Sequence, residues 1–381
     1  MFENVLILSA SAGAGHIRAA EALEKAFIRR GAARRVRHVD TLEYTTKVFR
    51  DIYSKAYIDL VNRSPELLGW LYDYLDKPWK DEPALRAMNK LNTRPFVKMI
   101  EEYRPDIAVC THFLPAEIIT YLKDRQRLHC PLALVVTDFD IHAMWLCRGC
   151  QRYFVALEET KVHLERLGID PGTVTVSGIP VDPVFAETVD KETTREELGL
   201  DRGRTTILLS AGGFGVGPME NLISSLGELR HEAQVVAICG RNDELRARLE
   251  QRARDAGNGP VQLKPIGYTR EMDRYMAASD LLVGKPGGLT TSEALARGLV
   301  MVIVNPIPGQ EERNADHLLE QGCAIRCNNL PVLGWKIDRL LDDGARLAAM
   351  RENVRRLAKP DAAGTVVRTL LAQWANATPE V

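Results

Sequence analysis

The side chains best suited to moving a proton or gripping a sugar cluster in a few short stretches of this chain. Ser11-Ala-Gly-Ala-Gly-His16 follows an apolar run and opens an expected helix. Glycines at such a turn, Gly15 among them, let the backbone approach a ligand and leave amides free at the helix start. His16 falls in the first helical turn, where the positive end of the helix dipole disfavours imidazolium, so a neutral ring there can accept a proton. A histidine that only caps or packs is the alternative. The stretch from Gly284 to Asn314 offers Thr290, Glu293, Gln310 and Glu311, which suit ribose and sugar hydroxyls better than a metal. The glycine turn of Gly287 and Gly288, followed by Leu289, precedes the expected helix start and leaves a ligand room, and the stiff turn Pro306-Ile-Pro308-Gly309 places Gln310 and Glu311 at little entropic cost. Thr290 and Glu293 also stand at capping-box spacing, so satisfying their own helix is their plainer role.

Further stretches carry weaker chemistry. Ala211-Gly-Gly-Phe-Gly-Val-Gly217 holds more glycine than a tight turn needs, and the amides around Gly213, Phe214 and Gly215 suit a diphosphate. Thr137-Asp138-Phe139-Asp140-Ile141-His142 puts carboxylates and a histidine at a strand end, where Asp138 is placed to meet an acceptor hydroxyl or orient a base. Cys147-Arg-Gly-Cys150 lies close by, but a zinc site needs four spaced ligands and a second cysteine pair is missing, so no metal is expected.

These stretches share a placement: each follows a short apolar run. Strands are expected near Val5–Ala10, Val36–Val39, Ile107–Cys110, Leu132–Thr137, Tyr153–Leu157 and Val174–Ser177, separated by helical patterns such as Glu158–Leu167. The alternation resumes at Ile207–Ser210, Val235–Cys239, Val261–Ile266, Leu281–Val283 and Met301–Val304. Alternating strands and helices mean βαβ units and a parallel sheet, whose ligands lie beyond the strand carboxyl ends. The expected fold class is therefore α/β with two doubly wound, Rossmann-like domains facing a central cleft. The expected boundaries are an acceptor-side domain over 1–186, a charged linker over 187–204 and a nucleotide-binding domain over 205–360.

Composition narrows the function. A chain of 381 residues exceeds what one hydrophobic core usually organises. A formal net charge of -1 advertises no nucleic-acid partner. No apolar run reaches the length of a membrane-spanning helix, and the acidic start lacks a secretory signal, so the seven cysteines are expected as reduced thiols in the cytoplasm. An insertion over 48–99 is too long for an ordinary βα connection. It mixes aromatics, including Tyr53, Tyr57, Trp70 and Trp79, with basic residues. Such a segment fits a membrane surface, or else packs its aromatics inward.

Taken together, Ser-Ala-Gly-Ala-Gly-His-Ile-Arg-Ala-Ala-Glu-Ala-Leu, Thr137-Asp138-Phe139 with His142 and Trp145, Gly284-Lys-Pro-Gly-Gly-Leu-Thr-Thr-Ser-Glu-Ala and Asn305-Pro-Ile-Pro-Gly-Gln-Glu-Glu-Arg-Asn-Ala resemble glycosyltransferase family 28. The likeness spans essentially the whole chain and is closest to the monogalactosyldiacylglycerol synthase and processive diacylglycerol glucosyltransferase branch. The resemblance implies a GT-B fold, a final helix over 361–381 crossing back to the first domain, and inversion at the anomeric carbon. It implies transfer of galactose or glucose from UDP-galactose or UDP-glucose to diacylglycerol at the inner face of the cell membrane, with no bound cofactor or metal; the alternatives are the same fold and donor with another lipid or small-molecule acceptor, or a nucleotide-sugar-binding protein without catalysis. By the same resemblance Glu293 binds ribose, Gln310 and Glu311 meet sugar hydroxyls, and Gly213 to Gly215 approach the diphosphate. His16 is the base for the acceptor hydroxyl, with Asp138 nearby, and the aromatic insertion faces the bilayer.

Overall fold

The computed structural model describes residues 1–11, 13–45, 65–79, 94–210, 219–257 and 259–375. The chain folds into two compact units, one of Met1–Pro183, Ile307–Arg313 and Asp361–Val381, the other of Val184–Pro306 and Asn314–Pro360.

In the first unit β1 (Phe2–Ser9), β2 (Ala33–Asp40), β3 (Ile107–Cys110), β4 (Leu132–Val135), β5 (Arg152–Val155) and β6 (Val174–Val176) form one parallel sheet in the order β2-β1-β3-β4-β5-β6. β3 and β4 are apolar and buried at every position, as strands covered on both faces must be. β2 lies at the edge and turns Arg34, Arg35 and Arg37 to solvent, a charge pattern that discourages further strand pairing. The helices are α1 (Ala14–Arg29), α2 (Pro65–Leu75), α3 (Arg94–Tyr103), α4 (Phe113–Asp124) and α5 (Glu158–Arg166). α1 buries Leu23, Ala26 and Phe27 at helical spacing in the core that also takes Val366, Val367 and Leu370. Because β1 has β2 on one side and β3 on the other, the chain leaves these neighbouring strands in opposite directions. That switch point opens a crevice at the carboxyl ends of β1 and β3.

The second unit repeats the plan. It contains α6 (Lys191–Glu197), β7 (Thr205–Ser210), α7 (Met219–Leu226), β8 (Ala233–Ile238), α8 (Asp243–Ala256), β9 (Val261–Ile266), α9 (Met272–Ala278), β10 (Leu281–Gly284), α10 (Gly288–Ala296) and β11 (Val300–Val304). α11 (Gln310–Glu320), β12 (Ala324–Cys327), α12 (Leu333–Leu341), α13 (Gly344–Leu357) and α14 (Ala362–Trp374) follow; α11 begins in the first unit's 307–313 segment, and α14 belongs to the first unit. The parallel sheet runs β12-β11-β10-β7-β8-β9, which puts the switch point between β7 and β10.

The charge-rich stretch over 187–204 is folded onto this unit. Asp190 caps α6 through the Thr193 amide at 2.8 Å. Arg195 is buried and reaches the Asp280 carboxylate at 2.7 Å and the Ala278 carbonyl at 2.9 Å. Asp280 also accepts from the Thr206 amide at 2.7 Å, which fixes the first turn of β7 to α6. Removing that carboxylate leaves Arg195 and Lys191 without their shared partner. Asp280→Asn is therefore expected to lower the stability of the second unit by about 2–4 kcal/mol in a denaturant titration; an unchanged midpoint would show that the ion pairs are dispensable.

Candidate active site

At the first unit's switch point α1 begins on Gly13, which has no side-chain oxygen to cap the helix. His16 stands in that first turn. Its Nδ1 lies 3.0 Å from the Thr111 carbonyl oxygen at the end of β3. A carbonyl only accepts, so Nδ1 carries the proton and Nε2 keeps the lone pair. Thr137 Oγ1, 2.8 Å from the same nitrogen, shares that proton, and the Thr111 hydroxyl donates to the His16 carbonyl at 2.8 Å. The His112 ring meets His16 edge-on at 4.6 Å, and Trp145 lies 6.1 Å away. This enclosure strips solvent from the imidazole and lowers its pKa to about 4, against the opposing pull of the Thr111 carbonyl. His16 is thus a neutral base held in one tautomer. His112 is also held neutral, by burial first and then by His16, and its Nδ1 caps α4 by accepting from the Leu114 amide at 3.0 Å.

Asp138 follows β4 and is 5% exposed. Burial pushes its carboxyl up to about 6, although hydrogen bonds from the Gln310 amide and the Trp145 side chain favour the charged form. No hydrogen bond joins Asp138 to His16; the neighbouring Thr137 makes that contact instead. Gln310 arrives on the segment over 307–313, which is fastened at several points. Arg313 reaches Asp76 at 2.8 Å and Asp140 at 3.1 Å, and its guanidinium lies 5.2 Å from the Tyr72 ring centre. Gly309 has φ +87°, and a Cβ there would come within 2.9 Å of the Tyr72 ring. The Glu311 carboxylate accepts from the Ile307 amide at 2.7 Å and so braces its own turn. His142 bonds to the Tyr72 carbonyl at 2.8 Å and accepts from the Met144 amide at 3.1 Å, which makes it a strut between α2 and the loop after β4.

In the second unit α10 starts earlier than the capping-box spacing implied. Its N-cap is Gly287, with no side-chain cap, so Gly288, Leu289 and Thr290 form the first turn and Glu293 lies inside the helix. The correction has a physical reason: glycine takes the N-cap conformation readily and displaces Thr290 from that role. The uncapped amides of the first turn suit an anion. Leu289 buries its side chain in the core, which leaves only its backbone to meet a ligand. Glu293 is 1% exposed. The Asn314 side-chain amide donates to the Pro286 carbonyl at 3.0 Å and steadies the glycine turn. Gly213, Phe214 and Gly215 lie outside the described residues.

Within the aromatic insertion Tyr53 and Tyr57 also lie outside the described residues, whereas α2 lies within them. Trp70, 61% exposed, stacks on Tyr74 at 5.3 Å, with Leu67 exposed beside them. Trp79 turns inward: its indole N–H donates to the Leu167 carbonyl at 3.0 Å, and Arg148 covers the ring at 5.1 Å. Cys147 pairs with the Thr120 hydroxyl at 3.0 Å, and Cys150 with the Arg152 carbonyl at 3.1 Å. Among the described residues no group of three or more His, Cys, Asp or Glu is arranged to hold a metal. Sequence reasoning missed Thr111, His112 and Asp76, and read Tyr72 only as one of the aromatics of the insertion. The first two were within reach, because they directly follow β3 at the switch point, where the rule that led to His16 also applies.

The geometry of His16 carries a direct expectation. Nitrogen NMR on the folded protein should show one neutral tautomer, protonated at Nδ1, with protonation only near pH 4; titration near the ordinary 6.5 would mean the ring is solvated and unrestrained.

Residues 16–181 match the family model for monogalactosyldiacylglycerol (MGDG) synthase, and residues 190–357 match that for glycosyl transferases group 1. The chain is 32% identical over 312 residues to a processive diacylglycerol beta-glucosyltransferase of Staphylococcus carnosus, covering 82% of this chain and 73% of the relative. It is 31% identical over 327 residues to the protein of that name from Staphylococcus aureus strain Newman, covering 84% and 80%. Among solved structures, MurG of Acinetobacter baumannii aligns with a TM-score of 0.62 at 17% identity, covering 97% of this chain and 100% of that one. The UDP complex of S. aureus MnaA aligns at 0.64 and 15% identity, covering 100% and 99%.

Proposed function

We infer the reaction from one premise: the chain belongs to glycosyltransferase family 28, in the branch of the monogalactosyldiacylglycerol synthases and processive diacylglycerol glucosyltransferases, and has the GT-B fold. It is a hexosyltransferase that moves glucose or galactose from a UDP-sugar to diacylglycerol. The observation that carries the chemistry is His16, a neutral imidazole whose Nδ1–H is fixed on the Thr111 carbonyl at a strand-end crevice.

In this reading the acceptor hydroxyl gives its proton to His16 Nε2 as its oxygen attacks the anomeric carbon. The bond from that carbon to the diphosphate oxygen breaks, UDP leaves, and the configuration inverts. The diphosphate is already a good leaving group, so the remaining tasks are positioning and meeting the charge that grows on it. The uncapped first turn of α10, at Gly287, Gly288 and Leu289, supplies amides for that charge; no bound cofactor is assigned to the reaction. Glu293 takes the ribose hydroxyls. Gln310 and Glu311 meet the sugar. Thr290 is assigned to the donor from the start of α10.

The lipid side falls to α2. Leu67, Trp70 and Tyr74 recur at helical spacing and are all exposed, with Lys77 over the Tyr74 ring at 4.7 Å. An apolar, aromatic face edged by a cation suits the boundary between lipid headgroups and acyl chains. No helix among the described residues is long and apolar enough to cross a membrane. The proposed location is therefore the surface of the inner face of the cell membrane, where diacylglycerol is presented.

Mixing the protein with UDP-glucose or UDP-galactose and diacylglycerol vesicles should yield glycolipid; sugar released only to water, or only to soluble acceptors, would sink the lipid assignment. His16→Ala should lower turnover by about a hundredfold or more while UDP binding persists, and retained turnover would remove His16 from the chemistry. Glu293→Ala should weaken UDP by about 1–3 kcal/mol in calorimetry. Unchanged affinity in a folded variant would take Glu293 out of the site.

A further inference from the structure

We propose that Asp138 is a positioning residue for the donor sugar: it fixes the Gln310 amide so that Gln310 Oε1 stands ready to accept from a sugar hydroxyl. This rests on the reading above, in which Gln310 meets the sugar.

The argument is one of donors and acceptors. Asp138 is buried and receives two side-chain N–H donors, from Gln310 and Trp145. An ionised carboxylate has nothing to donate, so Gln310 must turn its NH2 toward Asp138. An amide is planar, so this choice also aims its oxygen. Oε1 accepts nothing from any described residue, and Gln310 is only part-buried. The backbone beneath is equally restrained. Arg313 ties the segment to Asp76 and Asp140, Gly309 is seated on Tyr72, and Glu311 closes the turn through the Ile307 amide. With backbone and side chain both held, little rotamer freedom remains to be lost when the sugar binds. Asp138 makes no hydrogen bond to His16, whose proton is fixed by Thr111 and Thr137, so the base is oriented without it.

Asparagine at 138 breaks this logic without changing size. A carboxamide offers one oxygen and two N–H groups in place of two accepting oxygens, so it no longer dictates which end of the Gln310 amide faces it. The variant should fold. The carboxyl of Asp138 protonates more readily in the native protein than in the unfolded chain, so its ionised form near pH 7.5 is a cost to the fold, and asparagine removes it.

The test is calorimetry with UDP and with whichever of UDP-glucose and UDP-galactose the wild type binds more tightly. Asp138→Asn should weaken the UDP-sugar by about tenfold to a hundredfold and leave UDP, which lacks the sugar, within about twofold. Gln310→Ala should do the same, and the double variant should be no weaker than Gln310→Ala alone, because one residue acts through the other. Gln310→Glu probes the contact without altering Asp138: it sets a carboxylate against a carboxylate and should weaken the UDP-sugar more than Gln310→Ala does. Multiplying effects in the double variant, or Gln310→Glu no worse than Gln310→Ala, would overturn the proposal. So would an Asp138→Asn enzyme that binds the UDP-sugar normally but loses kcat and its acidic pH limb, since that is the signature of a catalytic acid or base. Failure of the lipid assignment is distinguishable, because these affinities are read without any acceptor.

Discussion

The proton on His16 Nδ1 is the point on which the first unit's chemistry depends. Its place is decided by a backbone carbonyl, that of Thr111, which can only accept. For the bond to exist, the first turn of α1 must meet the end of β3, and this requires β1 and β3 to be neighbours with diverging connections. The sheet order therefore precedes the tautomer, and the tautomer precedes any base at Nε2. Burial completes the arrangement by keeping the ring neutral, at the cost of lower basicity. Near neutral pH the ring is thus ready to accept a proton, with less driving force than a base whose pKa matches that pH.

The two candidate ligand-binding helix starts share a feature that works against stability. α1 begins on Gly13 and α10 on Gly287, and neither is capped by a side chain. Asp190, Asn242 and Asp343 satisfy the first amides of α6, α8 and α13, whereas α5, α9, α12 and α14 also start without a side-chain cap. A side-chain oxygen at Gly287 would compete with a phosphate for the same donors. In the proposed reading the donor's phosphate completes the helix start that Gly287 leaves open.

Much of this was legible in the sequence, for identifiable reasons. Buried parallel strands are short apolar runs, and turns at their carboxyl ends carry glycine and polar side chains, so His16, Asp138 and Gln310 all stood out at strand ends. The start of α10 was misread because the capping-box spacing of Thr290 and Glu293 is a local signal, and the glycine pair before it competes for the same role. What sequence could not supply was pairing at a distance. Asp138 and Gln310 are 172 residues apart, and nothing in either motif names the other as its partner. Trp70 and Trp79 likewise look alike in sequence, yet one is exposed and the other donates to Leu167, because only the tertiary path of the chain decides which aromatic meets a carbonyl.

Helix α2 shows how such pairing joins separate tasks. On one face Gly69 lets Pro308 approach, since a Cβ there would come within 2.9 Å of it, Tyr72 seats Gly309, and just past the helix end Asp76 takes the Arg313 guanidinium and the Ala143 amide. On the opposite face Leu67, Trp70 and Tyr74 are exposed. Both sets follow the helical repeat, so neither can shift without the other. A lipid surface pressed against the outer face would lie about one helix diameter, roughly 10 Å, from the segment that carries Gln310. The glycine at 69 and the arginine at 313 thus have a purpose that propensity alone would not assign: they make the proposed acceptor-facing helix and the proposed sugar-facing turn a single packed body, so that the two substrates are addressed by opposite sides of one short element.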